Sequence, residues 1–177
     1  MRKIGILCVI TFCLPLIAAA QDHPKTELFG GFSIFAADAD DYEAFYGFQG
    51  NVAFNPHENV GIVMDFGVQG KTRREPMALV HSDSVSVYEY LFGARFSKRW
   101  DGATAFGEAL FGGITTDSDF GAETGFAMGF GGGVDINAGD RFAIRAVQFD
   151  WMPNHLGGSW SASEIRLGFG VVFKFGI

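Results

Sequence analysis

Residues 165–176 run Ile-Arg-Leu-Gly-Phe-Gly-Val-Val-Phe-Lys-Phe-Gly, and this alternation restricts the fold more than any other feature of the chain. Side chains of an extended strand project alternately to its two sides. Ile165, Leu167, Phe169, Val171, Phe173 and Phe175 therefore form one apolar row, opposite Arg166, Gly168, Gly170, Lys174 and Gly176. Residues 59–69 repeat the pattern, with Val60, Ile62, Met64, Phe66 and Val68 against Gly61, Asp65, Gly67 and Gln69. Residues 125–137 do so again, with Phe126, Met128, Phe130, Val134 and Ile136 opposite Gly129, Gly131, Gly133 and Asp135.

Eight segments carry this period of two, at 25–36, 44–54, 59–69, 85–97, 103–114, 125–137, 141–151 and 162–176, and none shows a helical period. The connections after even-numbered segments are short and rich in turn residues: Asn55-Pro56-His57-Glu58, Lys98-Arg99-Trp100-Asp101-Gly102 and Ala138-Gly139-Asp140. Those after odd-numbered segments are longer and more polar, the longest running from Gly70 to Ser84 with Lys71, Arg73, Arg74, Glu75 and Pro76. Strict alternation of short and long connections predicts an up-and-down barrel, with tight turns at one end and loops at the other. The seventh segment keeps its phase only with one extra residue near Ala146. A β-bulge there holds Arg145, Gln148 and Asp150 on one face.

The amino terminus is a separate unit. Arg2 and Lys3 precede an apolar stretch from Ile4 to Ile17 and then Ala18-Ala19-Ala20, the pattern of a secretory signal peptide cleaved after Ala20. The apolar stretch is shorter than the roughly 20 residues of a spanning helix, and Pro15 interrupts it. Cys8 and Cys13 fall inside it, so the expected mature domain, residues 21–177, has neither a disulfide nor a thiolate metal site. Losing Arg2 and Lys3 from the 13 basic residues leaves 11 against 20 acidic ones, a balance that disfavours nucleic acid as a partner. No later apolar run is long enough for a membrane helix, so any crossing is made by strands.

Alternation alone does not say which row meets solvent. A soluble barrel that carries a ligand would bury the apolar row and cover the other with Lys, Glu and Thr. Here the second row is mostly glycine with isolated charges of both signs, in a chain with 25 glycines, 20 phenylalanines and only 19% charged residues. Such a row suits a narrow interior. Its acids are Glu27, Asp65, Glu89, Glu108, Asp135 and Asp150, and its bases are Arg95, Arg145, Arg166 and Lys174. Unpaired charges are costly at low dielectric, so these ten are expected to form a cross-paired lumen. Tyr42, Phe45, Tyr46 and Trp151 fall near the loop-side rim and Trp100 and Phe175 near the turn side, as amphipathic rings do at two membrane interfaces. The fold expected is all-β: an eight-stranded antiparallel up-and-down transmembrane β-barrel.

The chain end, Gly170-Val171-Val172-Phe173-Lys174-Phe175-Gly176-Ile177, is similar to the terminal signature by which outer-membrane barrels are recognised for assembly, with Gly170, Phe173 and Phe175 as its elements. Residues 25–177 as a whole resemble the eight-stranded family of the outer-membrane protein A barrel domain and the opacity-type proteins. Two departures are the final Ile177 in place of an aromatic residue and the lack of a following peptidoglycan-binding domain. The resemblance implies residence in the cell outer membrane among its lipid and lipopolysaccharide. It also implies escort by periplasmic chaperones and insertion by the barrel-assembly machinery.

The function expected from this reading is non-enzymatic, structural or surface-interacting, with no cofactor and with an external loop partner the sequence does not name. An eight-stranded interior is filled by side chains, so a general pore is not expected. The alternatives are a soluble carrier, a narrow ion path through the charged lumen, and a lipid-modifying enzyme using His81 with Ser82 or Ser84, or His155 with Ser159 or Ser161. These pairs have no distinctive spacing. The run Gly129-Phe130-Gly131-Gly132-Gly133 precedes no helix and lacks the phosphate-loop lysine, so it reads as strand glycines. His23, His57, His81 and His155 are scattered without metal-ligand spacing. Lys71, Arg73 and Arg74 form the one basic cluster, placed where lipopolysaccharide phosphates or water would meet it.

Overall fold

The computed structural model describes residues 23–37, 43–74, 82–119 and 121–176, with side chains for all of these except 37, 43, 72–74 and 82–84. The expected signal peptide, Tyr42, His81 and Ile177 lie outside the described residues. Eight long strands are β1 (Thr26–Ala37), β2 (Glu43–His57), β3 (Val60–Arg74), β4 (Ser82–Arg99), β5 (Ala103–Ser118), β6 (Gly121–Asn137), β7 (Phe142–Trp151) and β10 (Ile165–Phe175). A short hairpin, β8 (Asn154–Leu156) and β9 (Ser159–Ser161), stands between the last two. Each long strand pairs antiparallel with its neighbour in sequence, and β1 pairs β10 over the register Thr26↔Phe175 to Ala36↔Ile165. The sheet therefore closes without a free edge, as the sequence predicts.

β2 to β6 are longer than the alternation suggests, β3 to β6 mostly at the loop end, whereas β7 and β10 are shorter than the expected 141–151 and 162–176. β3 runs to Arg74, β4 starts at Ser82, β5 reaches Ser118 and β6 begins at Gly121, so much of the expected Gly70–Ser84 connection is paired strand. Polar side chains are no obstacle there, because a hairpin that rises above a bilayer meets water on both faces. At the other end the turns are tight, with Glu58-Asn59 joining β2 to β3 and Trp100-Asp101-Gly102 joining β4 to β5. Gly139, at φ +151°, occupies the turn between β6 and β7. β7 carries its extra residue between Arg145 and Gln148: Val134 and Asp135 of β6 face Val147 and Arg145, and Gly168 and Gly170 of β10 face Gln148 and Arg145.

The apolar rows point outward. Phe48 is 72% exposed, and Ile62, Met64, Phe66, Phe92, Ile144, Phe149, Phe169 and Phe173 share the outer wall. Along β6 the outward apolar run from Phe126 to Ile136 covers about 33 Å of strand, or about 25 Å of height at a tilt near 40°, the thickness of an outer-membrane apolar band. The inward rows fall into two zones. Toward the turns and at mid-height they are charged. The main inward apolar cluster, drawn largely from the loop-side half of the strands, joins Phe35, Phe45, Val87, Leu91, Leu110, Ile114 and Met152.

Phe45 corrects the sequence reading. The sequence places it at the aromatic rim, but it points into the barrel and is 7% exposed, whereas Tyr46 beside it faces outward. The two are adjacent on one strand, so only one can stand on the outer wall. Register assigns the inner place to Phe45, which shares parity with the buried Gln49 and Asn51.

Candidate functional site

Each long strand sends at least one polar side chain inward, and these join across the lumen. Arg166 of β10 is fully buried at the centre. Its guanidinium lies 2.8 Å from Asp65 of β3, 2.6 Å from Glu89 of β4 and 2.9 Å from Asp150 of β7. Amides of the same layer donate to these carboxylates: Gln49 Nε2 to Asp65 at 2.9 Å, Asn51 Nδ2 to Asp65 at 3.3 Å, and Gln148 Nε2 to Asp150 at 2.9 Å. Gln69 Nε2 donates to Ser33 Oγ of β1 at 2.9 Å, which ties β3 to β1 across the closed sheet.

Gln148 links this layer to the next. Its amide also donates to Glu108 Oε1 at 2.8 Å, and its carbonyl oxygen accepts from Arg145 Nη1 at 2.7 Å. Arg145 is held by Asp135 at both ends of a bidentate fork, 2.8 and 3.1 Å. Its guanidinium carbon sits 4.1 Å from the Phe29 ring centroid and 4.3 Å from that of Phe106, a sandwich that replaces water with two aromatic faces. Arg95 binds Glu108 through Nε at 2.9 Å and lies 4.4 Å over Phe106. Toward the turn mouth Glu27 lies 3.9 Å from Arg95 and 3.1 Å from Arg99, whose other terminal nitrogen donates to the carbonyl of Glu58. Lys174 donates to Asn137 Oδ1 at 2.6 Å.

The structure thus places all ten residues of the expected lumen set on the inside, each buried. It joins nine of them in two layers bridged by Gln148, while Lys174 stands at the turn mouth with Asn137. Sequence reasoning did not identify Gln49, Asn51 and Ser33, which carry no charge to draw attention, nor Arg99, which was read as part of a turn. It also left out Phe29 and Phe106. Their signal was parity, since both occupy the same row as Glu27 and Glu108. Glycine supplies the room for this network: a methyl group at Gly67 would overlap the Glu89 carboxylate, and one at Gly131 would overlap that of Asp150.

Among the described residues, the candidate base His155 and the candidate nucleophiles Ser159 and Ser161 take opposite faces of the β8–β9 hairpin. His155 lies directly opposite Trp160, with Ser159 opposite Leu156 and Ser161 opposite Asn154. Directly paired residues share a face and strand neighbours take the other. Ser159 and Ser161 therefore point away from His155, whose ring packs on Trp160 at 5.2 Å. His81 and the side chains of Ser82 and Ser84 lie outside the described residues.

Rings stand at both ends of the outer wall. Tyr46 and Trp151 are exposed at the loop side, and Trp151 Nε1 donates to the Ala162 carbonyl at 2.5 Å. Trp100 and Phe175 are exposed at the turn side. The strand-end residues Gly170 and Phe173 fall in the β1–β10 seam, paired with Gly31 and Leu28, and Phe175 pairs with Thr26.

No family model matches the chain, and no curated protein matches it. Solved structures do. Ail, the attachment invasion locus protein of Yersinia pestis, solved in complex with the heparin analogue sucrose octasulfate, superposes with a TM-score of 0.60 at 16% identity, over 86% of this chain and 99% of that one. Neisserial surface protein A gives 0.67 at 11% identity, over 88% and 100%. The N-terminal β-barrel domain of Pseudomonas aeruginosa OprF gives 0.51 at 13% identity, over 87% and 100%. All three are eight-stranded outer-membrane β-barrels, and this chain has their fold.

Proposed function

We propose that the chain is exported, cleaved after Ala20 and inserted in the outer membrane, where it serves as a non-enzymatic structural or surface-interaction protein whose barrel holds four loops outside the cell. The observation that carries the reading is the inversion of burial: phenylalanines line the exterior while fully buried arginines and carboxylates fill the interior. That arrangement is stable only where the exterior solvent is apolar. A soluble carrier would need the opposite. Gly170, Phe173 and Phe175 are proposed as the assembly signal read by the barrel-assembly machinery, after chaperones have escorted the unfolded chain. The test is fractionation followed by electrophoresis of boiled and unboiled samples. A heat-dependent mobility shift in the outer-membrane fraction supports the proposal, and a soluble periplasmic product without a shift overturns it.

A further inference from the structure

Lys174 stands apart from the other cations of the lumen. Arg95, Arg145 and Arg166 each have a carboxylate oxygen within 2.8 Å, and Arg99 has one at 3.1 Å. Lys174 is 8% exposed, yet its ammonium forms no ion pair among the described residues, and its one hydrogen bond there goes to Asn137 Oδ1 at 2.6 Å. The acids nearest to it are committed elsewhere. Glu27 stands directly opposite in the β1–β10 register, but its carboxylate lies 3.1 Å from Arg99 and 3.9 Å from Arg95. Asp135 closes the fork on Arg145. An ammonium has three N–H donors, and a buried charge without a counter-charge is costly. Two donors of Lys174 and its charge are thus open to an acceptor.

That acceptor has a defined space. Lys174 lines a cavity of about 460 Å³ at the turn end of the lumen, a volume in the range of small-molecule sites. Arg99 and Thr104 share its polar wall, and Pro24 and Trp100 add apolar surface. Thr104 pairs with Arg99 on one side and Asp135 on the other, is 4% exposed, and its hydroxyl has no hydrogen bond among the described residues. Deeper on the same two strands the Arg95–Glu108 pair and the Phe106 ring fill the lumen, so the cavity is a cup. Asp101 and Asp140, both exposed in the turns, stand at its rim. They repel a second negative charge on any occupant, which favours a carboxylate over a phosphate dianion.

We propose that this cup binds a small carboxylate with an apolar body, its oxygens on Lys174 Nζ and the Thr104 hydroxyl and its carbon chain against Trp100 and Pro24. A charge-assisted hydrogen bond inside the cup supplies the affinity, and the acids at the rim supply the selection for a single charge. The site adds solute binding at the end of the barrel opposite the loops.

The test uses the full mature protein with Trp151→Phe and Trp160→Phe, so that Trp100 alone fluoresces. It is titrated at fixed ionic strength and mildly alkaline pH with butyrate, with butanol as the uncharged body, and with inorganic phosphate. A saturable change in Trp100 emission is expected with butyrate, none with butanol, and weaker binding with phosphate. In the same background Lys174→Gln should weaken butyrate about tenfold, the scale of one hydrogen bond to a charged group, Thr104→Val about threefold, and Lys174→Arg should retain it. Folding of each variant is checked by the heat-dependent mobility shift, and Thr104→Val carries the test if Lys174→Gln does not fold. No saturable response to butyrate in the folded parent overturns the site, as does unchanged affinity in folded Lys174→Gln or Thr104→Val. Phosphate bound as tightly as butyrate overturns the carboxylate assignment.

Discussion

Replacing Arg166 with Met removes the cation that Asp65, Glu89 and Asp150 share, while the volume changes little. Breaking a buried ion pair by deleting one partner costs about 3–5 kcal/mol, because the other charge is left without compensation. Here three carboxylates lose one partner, and the amides of Gln49, Asn51 and Gln148 already donate to two of them. The expected loss is therefore at the upper end, about 5 kcal/mol. The assay is urea unfolding in lipid vesicles, with the folded fraction read from the unboiled band. A companion variant, Asp65→Asn/Glu89→Gln/Asp150→Asn/Arg166→Met, removes the whole charged set and should recover most of the loss. A single variant within about 1 kcal/mol of the parent would refute the electrostatic account of the lumen, since that is the scale of a solvated surface pair. A companion as unstable as the single variant would assign the loss to packing instead.

Phe169→Lys, placed on the outer wall, should destabilise the inserted barrel by about 2–4 kcal/mol in the same assay, and unchanged insertion would mean that the face is wrongly assigned. Gly93→Ala should be far more damaging than Gly168→Ala. A methyl at Gly93 meets the backbone of Ala109 and Leu110, whereas at Gly168 it meets the movable end of Gln49; equal midpoints would contradict this packing. Phe106→Ala takes a ring from both Arg95 and Arg145 and should cost about 3–5 kcal/mol, read as a fall in the urea midpoint. The first residue of the mature protein, found by amino-terminal sequencing of the membrane fraction, should be Gln21.

What the sequence disclosed and what it hid follow from one property of alternation. A strand with one apolar and one polar row declares its faces, as β3 and β10 do, and the eight strands, their antiparallel order and the bulge near Ala146 could be read that way. Where both rows turn apolar the pattern is degenerate. On β2, Phe45, Tyr46 and Phe48 place aromatic residues at both parities, and β4 is apolar at both, with Val87 and Leu91 inside and Tyr88, Tyr90 and Phe92 outside. The inner apolar zone was therefore invisible, although counting parity upward from Gln49 and Asn51 would have placed Phe45 within it. Neutral amides were hidden for another reason. Gln49 and Asn51 act through hydrogen bonds that depend on where Asp65 stands across the lumen, and only the closed register supplies that.

The two inner zones bear on where activity resides. A solute crossing the barrel would have to part the contacts among Phe35, Leu91, Leu110 and Met152 and then break Arg166 or Arg145 from their carboxylates. Arg166 with Asp65 and Glu89 links β10 to β3 and β4 across the barrel, so opening such a path weakens the closure that keeps the strands in the membrane. Stability and permeation thus draw on the same residues. The loop end has no such conflict. Its hairpins rise beyond the apolar band and are paired along their length, with β5 and β6 joined up to Ser118↔Gly121. A partner recognised there gains a rigid support whose stability is set tens of ångströms away, and for this reason the surface, not the interior, is where specificity in this chain is expected to reside.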